Sequence, residues 1–172
     1  GTPLNATTWS AAAWSAACAA KAAQYVVERK TRLSYGLCRP PGHHASFHQF
    51  GGYCYFNNAA IAAKKLQAMG KVAILDIDFH HGNGTQELFY EDNQVLTVSL
   101  HGDPKSFFPY YSGFSSEKGK NKGKGYNVNI PLQKNINGIQ YLNHLKKALK
   151  EISEFKPKYL VVAAGFDTFE GD

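Results

Sequence analysis

One run of ten residues limits what this chain can be: Val72-Ala-Ile-Leu-Asp-Ile-Asp-Phe-His-His81. Its apolar opening is expected of a strand buried on both faces of a parallel sheet. The strand then delivers acidic and imidazole side chains at every second position. In an extended chain alternate side chains point the same way, so Asp76, Asp78 and His80 are predicted to share one face at a strand end. Burying three polar groups there without partners would be costly. Two carboxylates and an imidazole together suit a divalent cation.

The rest of the chain supplies the surroundings such a strand needs. Residues 8–30 are rich in alanine and read as a helix, with Thr7 or Thr8 as N-cap and Trp14, Cys18, Ala22 and Val26 on one face. A short strand is predicted at Ser34–Cys38, followed by a turn at Arg39-Pro40-Pro41-Gly42. A helix opening at Asn57 or Asn58 ends near Met69, before Gly70. A short helix is predicted over Thr85–Tyr90 and a strand over Val95–Leu100. Residues 101–125 form a long loop, Tyr126–Pro131 alternates like a strand, and Gly138–Phe155 is an amphipathic helix through Ile139, Leu142, Leu145 and Leu149. Tyr159–Ala164 is a last buried strand. Strands alternating with helices imply βαβ units, an α/β fold with a parallel sheet between helical layers, and ligands gathered at the carboxyl ends of the strands.

Bulk properties narrow the classes. A chain of 172 residues, 44% hydrophobic and 19% charged, is read as one soluble globular domain over residues 1–172. The net charge of +6 raises nucleic-acid binding, but much of the excess sits in Lys118-Gly-Lys-Asn-Lys-Gly-Lys124. No aromatic is interleaved there to stack bases, so a surface loop is the better reading. Cys18, Cys38 and Cys54 form no CxxC pair, which argues for reduced thiols and a cytoplasmic protein rather than a disulfide framework. Neither a long apolar run nor a signal peptide is found, so no membrane association is expected. Gly1-Thr2-Pro3 lacks a methionine and reads as sequence from within a longer protein.

The last predicted strand delivers Asp167 to the same edge of the sheet. Asp78, His80 and Asp167 then make an oxygen, nitrogen and oxygen set with an open position, the arrangement of a catalytic rather than a structural zinc. The tandem His43-His44 follows a turn at the end of the preceding strand. Beside a metal, one of the two could act as general base and then return the proton to a leaving amine.

Five segments together carry a resemblance: Arg39-Pro-Pro-Gly-His-His-Ala45, Phe50-Gly-Gly-Tyr-Cys-Tyr-Phe-Asn-Asn-Ala-Ala60, Asp76-Ile-Asp-Phe-His-His-Gly-Asn-Gly-Thr-Gln86, Ser99-Leu-His-Gly-Asp-Pro104 and Ala164-Gly-Phe-Asp-Thr-Phe-Glu-Gly-Asp172. In wording, order and spacing they resemble the histone deacetylase superfamily. The His-His-Gly-Asn-Gly-Thr-Gln and His-Gly-Asp-Pro wording is similar to class II deacetylases and most similar to bacterial acetylpolyamine amidohydrolases.

That resemblance implies an arginase/deacetylase-like three-layer α/β fold. It also implies a zinc-dependent amidohydrolase that removes acetyl groups from acetyl-lysine or an acetylpolyamine, with a zinc-bound water attacking the amide. Asp78, His80 and Asp167 match the zinc ligands, and His43 and His44 the histidine pair, with His44 as the general base. Asp76 matches the carboxylate that orients His43, and Asn83 stands where class I members place an aspartate beside the second histidine. Gly52, Tyr53 and Phe108 match a substrate tunnel. Asp76, Asp78, His80, Ser99 and Leu100 match a structural potassium site.

The family pattern also includes a tyrosine in a glycine-rich loop that polarises the substrate carbonyl, and this sequence contains no Gly-Gly-Gly-Tyr. Loss of such an oxyanion donor lowers rates about a hundredfold to a thousandfold. The chain is therefore expected to be a partial, truncated domain of weak or no activity, with an exposed sheet edge that promotes self-association. Tyr110 and Tyr111 are candidates for a substitute donor, but the sequence places neither. Two alternatives share the fold. One is an inactive metal-binding or interaction fragment. The other is an arginase-type dimanganese hydrolase, against which the Asp-x-Asp-x-His order and the tandem histidines argue.

Overall fold

A computed structural model describes residues 2–169. Four strands, β1 (Val72–Asp76), β2 (Val95–Gly102), β3 (Asn127–Leu132) and β4 (Tyr159–Ala163), form a parallel sheet in the order β3-β2-β1-β4. The helices are α1 (Thr8–Val27), α2 (Asn58–Gln67), α3 (Asn83–Phe89) and α4 (Gly138–Phe155).

Alternation along β1 builds two cores. Val72 and Ile74 pack with Ala19 and Ala23 of α1, with Ala60, Ala63 and Leu66 of α2, and with Phe89 of α3. Ala73 and Leu75 pack on the opposite face with Leu96, Val98 and Leu100 of β2 and with Ala148 and Ile152 of α4. A parallel sheet between two helical layers is the α/β architecture expected from the strand and helix alternation.

On β2, the face that begins with Val95 in the first core continues through buried Thr97, Ser99 and His101. Polar groups thus accumulate toward the carboxyl end of β2, as they do on β1 from Ile74 to Asp76. Register places Asp76 beside Ser99 of β2 and Ala163 of β4, so the ends of β1 and β4 meet at one level while β2 runs on to Gly102.

Several local expectations need correction. Ser34–Cys38 is not a strand; it runs as irregular chain between α1 and the proline turn. The face of α1 turned inward is Ala12, Ser15, Ala19 and Ala23, while Trp14 is 78% exposed. Small side chains let α1 lie close to α2. Buried Ser15 donates to Pro40 O (2.7 Å) and accepts from Asn58 Nδ2 (3.0 Å), which ties the proline turn to both helices. Thr7 makes no side-chain cap. Instead Asn5 Oδ1 accepts from Thr7 N and from the Thr8 hydroxyl. Helix α4 is rotated from its apparent apolar face. It buries Ala148 and Ile152, flanked by Tyr141, Leu145 and Phe155, and leaves Ile139 74% exposed.

The cap of α2 falls on Asn57, one of its two candidates, and that of α4 on Asn137. Asn57 Oδ1 accepts from Ala60 N (3.0 Å), and Asn137 and Gln140 form a reciprocal capping box. The long loop after β2 contains a 3-10 turn at Asn121–Gly123. No helix among the described residues is long and apolar enough to cross a membrane.

Candidate metal centre and histidine pair

β1 ends at Asp76, so the alternation that would put Asp76, Asp78 and His80 on one face does not continue. Two side-chain-to-backbone turns replace it. Asp76 Oδ1 accepts from Asp78 N (3.1 Å), and Asp78 Oδ1 accepts from His80 N (2.8 Å). The effect is a division of labour. Asp76, 3% exposed, turns its other oxygen to His43, while Asp78 and His80 face Asp167.

Asp78, His80 and Asp167 each offer one ligand atom, and these atoms lie within 4.8 Å of one another. Asp167 reaches them from the segment after β4. Its Oδ1 accepts from Phe79 N (2.8 Å), and its Oδ2 lies 2.8 Å from His80 Nδ1. Burial works against the charge on Asp78, but hydrogen bonding from His80 and the charge on His43 outweigh it and hold the carboxyl down to about 2. Hydrogen bonds to Asp167 and then to Asp78 push His80 up to about 9. The Nδ1 proton of His80 thus sits between the carboxylates of Asp167 (2.8 Å) and Asp78 (3.5 Å). A divalent cation could replace it with the same sign of charge and with a nitrogen and two oxygens as donors, so the residues present fit such an ion.

The two histidines are adjacent in sequence and opposite in electrostatics. Their rings lie 4.0 Å apart between centroids. His43 Nδ1 is 2.8 Å from Asp76 Oδ2, and its Nε2 is 3.8 Å from Asp78 Oδ2. Burial disfavours its charge, yet Asp76, aided by Asp78 and Asp167, raises it above the ordinary histidine range. His44 Nδ1 is 2.8 Å from Asn83 Oδ1, a neutral partner. Burial, and then the neighbouring charge of His43, push His44 down to about 3. The two rings are thus pushed in opposite directions, His43 toward its charged form and His44 toward its neutral form, a split that acid–base chemistry can use.

Close backbone approach shapes the surroundings. Gly52 has φ +52°, and a Cβ there would lie 2.2 Å from His44 Cδ2. A Cβ on Gly165 would lie 2.0 Å from Asp78 Oδ2. Phe108 stands edge-on to the His44 ring at 4.9 Å and 6.3 Å from that of His80. Tyr53 is 68% exposed, and among the described residues its ring makes no contact with that of Phe108.

Beneath the site lies a buried polar floor that the sequence reading did not identify. His101 Nε2 donates to Gly113 O (2.9 Å), so its Nδ1 accepts the Ser99 hydroxyl proton at 2.7 Å. Ser99 Oγ in turn accepts from His81 Nδ1 at 3.4 Å, and the strand register sets Ser99 beside Asp76. Gln86 Nε2 donates to Ser112 Oγ and Glu117 Oε2, and Gln86 Oε1 accepts from Asn127 and Asn129. One trace of this floor was readable: Asn127 and Asn129 are two apart on a strand and must share a face. Their partners come from α3 and from the loop, which no spacing reveals.

The comparisons with known proteins agree with this geometry. The profile of the histone deacetylase domain matches residues 1–172. The acetylpolyamine amidohydrolase of Burkholderia pseudomallei (strain 1710b) is 47% identical over 171 residues, which is 99% of this chain and 50% of that protein. Acetylpolyamine amidohydrolase 2 of Pseudomonas aeruginosa is 45% identical across 100% of this chain and 50% of its own length. A crystal structure of the acetylpolyamine aminohydrolase from Burkholderia pseudomallei superimposes with a TM-score of 0.96 at 47% identity, covering 99% of this chain and 50% of that one. The chain therefore spans about half the length of these relatives. The arginase/deacetylase-like fold expected from the sequence motifs is the fold the chain has.

Proposed function

The chain belongs to the histone deacetylase family, and on that premise we propose that its strand ends carry the site of a zinc-dependent amidohydrolase acting on acetylated amines. The observation that carries this reading is the histidine pair, His43 on the Asp76 carboxylate and His44 on the Asn83 amide, beside three convergent metal-ligand atoms. The relatives' names speak of acetylpolyamines and histones, and the substrate class we infer for this chain is an acetylpolyamine or acetyl-lysine.

Asp78, His80 and Asp167 would hold the zinc. When bound, it supplies a Lewis acid that polarises the amide carbonyl and acidifies a water. His44 keeps its proton on Nδ1, donated to Asn83 Oδ1, which leaves Nε2 to take a proton from the attacking water and later hand it to the leaving amine. His43, whose pKa the Asp76 carboxylate raises, would favour negative charge developing nearby. Gly52 lets the chain pass against His44, and Phe108 with Tyr53 would flank the acyl chain of the substrate. Asp76, Asp78, His80, Ser99 and Leu100 are assigned a structural potassium ion, a reading supported by the strand register that sets Ser99 beside Asp76. The three cysteines are free thiols, in keeping with a cytoplasmic protein.

The test is acetate release from N-acetylputrescine and from an acetyl-lysine peptide by the zinc-loaded chain. Replacing His44 by alanine should lower the rate about a hundredfold or more. Acetate release that is indifferent to His44→Ala, or manganese-dependent urea release from arginine, would overturn the assignment. Zinc uptake with no release from either substrate would leave the chain as a metal-binding fragment.

A further inference from the structure

The free base nitrogen on His44 depends on how one amide is turned. Asn83, the first residue of α3, is buried, and its backbone N–H donates to His81 O (2.9 Å). Its side-chain oxygen faces His44 Nδ1 at 2.8 Å. Turned over, the amide would present its NH2 group to that nitrogen, the ring proton would have to move to Nε2, and the base would be lost. A carboxylate in this position would have no such ambiguity, because both of its oxygens accept. An asparagine needs its NH2 group engaged elsewhere.

That engagement comes from Tyr111. Asn83 Nδ2 donates to the Tyr111 hydroxyl at 3.1 Å. The tyrosine ring is largely exposed, but its backbone is pinned on both sides. Tyr111 N donates to Pro109 O (2.8 Å), and the next residue, Ser112, accepts from Gln86 at 3.0 Å. Gly113 then donates to Glu117 (2.8 Å) and accepts from His101 (2.9 Å). The same loop carries Phe108 against the His44 ring. One tethered loop thus touches both His44 and the partner of His44.

We propose that Tyr111 is a positioning residue for His44: its hydroxyl holds the Asn83 amide with Oδ1 toward the ring, so that the ring proton stays on Nδ1 and Nε2 stays free. The proposal rests on the reading of His44 as the general base and explains how an asparagine can serve in that place. It also gives the Tyr111 hydroxyl a partner other than the substrate carbonyl.

The test is a double-mutant cycle of Tyr111→Phe and Asn83→Asp read by histidine ring 15N NMR at neutral pH, with the His44 signals assigned by loss in His44→Ala. The parent and Asn83→Asp should show the Nδ1–H tautomer. Tyr111→Phe should shift His44 toward Nε2–H, and acetate release should fall about tenfold. On the Asn83→Asp background, removing the hydroxyl should leave the tautomer unchanged, because the carboxylate needs no clamp. A merely structural tyrosine would lower the melting temperature equally in both backgrounds without moving the tautomer, and that result overturns the proposal. So would an Nε2–H tautomer in the parent. If no variant releases acetate, the amidohydrolase reading fails on its own while the NMR cycle still decides the clamp.

Discussion

β2 and β4 are the two neighbours of β1, both parallel to it and both opening on apolar residues, yet they are packed differently. Every residue of β2 is buried, whereas β4 alternates, with Leu160 and Val162 each 47% exposed. β2 lies between β1 and β3 and is covered by α4 on one face. Among the described residues β4 pairs with β1 alone and is the last strand on that side of the sheet. The site draws unequally on the two sides. The β2 side contributes Ser99, His101 and the loop with Phe108 and Tyr111, all tied into the buried floor. The β4 side contributes Asp167, held through Phe79 N and His80. Among the described residues the histidine pair thus rests on buried partners, Asp76 and Asn83, while Asp167 follows the less covered strand.

The largest expected effect tests the packed half. Asp76→Ala removes one partner of a buried charged pair and should lower stability by about 3–5 kcal/mol in urea denaturation. A loss below about 1 kcal/mol would mean that His43 is not held as a cation by Asp76. The second prediction addresses the two strands directly. Leu96→Ala on β2 should lower stability by about 2–5 kcal/mol, and Leu160→Ala on β4 by about 0.5 kcal/mol. Equal losses would break the comparison. Leu160→Lys should also reduce any self-association seen by gel filtration, since exposed apolar edge strands are the usual docking points.

The smallest effect concerns Asp92, at the turn before β2. Its carboxylate accepts from Gln94 N (2.8 Å), Gln67 Nε2 (2.7 Å) and Lys64 Nζ (3.1 Å), tying the end of α2 to that turn. Burial opposes its charge, but these donors prevail and lower its pKa. A carboxyl lowered by folding stabilises the protein above its unfolded value of about 4, and that contribution is lost as pH falls through the lowered value. Asp92→Asn should therefore be slightly less stable than the parent at neutral pH and equal to it in strong acid. A gap that persists in acid would assign the effect to shape rather than charge.

How much of this was legible depended on contrast. The Val72–Asp76 strand stood out because four apolar residues run into a carboxylate, and the fold class followed from repeating that pattern. The buried face of α1 did not, because in a helix made largely of alanine every face looks alike, and packing selects the smallest residues rather than Trp14. The same holds for α4, where two adjacent apolar stripes compete and the sheet takes the one through Ala148 and Ile152. Nor does apolarity separate a central strand from an edge: Leu96 and Leu160 look the same in sequence. The approach of His43 to Asp76 and of His44 to Asn83 spans 33 and 39 positions, so only a resemblance to known proteins could suggest it. The polar floor gathers α3, β2, β3 and a loop, and only the Asn127–Asn129 alternation hinted at it.

The central claim is that Asp78, His80 and Asp167 form one metal site across β1 and β4. It is tested most directly by zinc content after metal loading and dialysis, measured by elemental analysis on the parent, Asp78→Ala and Asp167→Ala. The account predicts one zinc per chain in the parent and loss of zinc in both variants, with the folded state of each variant verified by circular dichroism. Zinc retained in Asp167→Ala, or none bound by a folded parent, would contradict it.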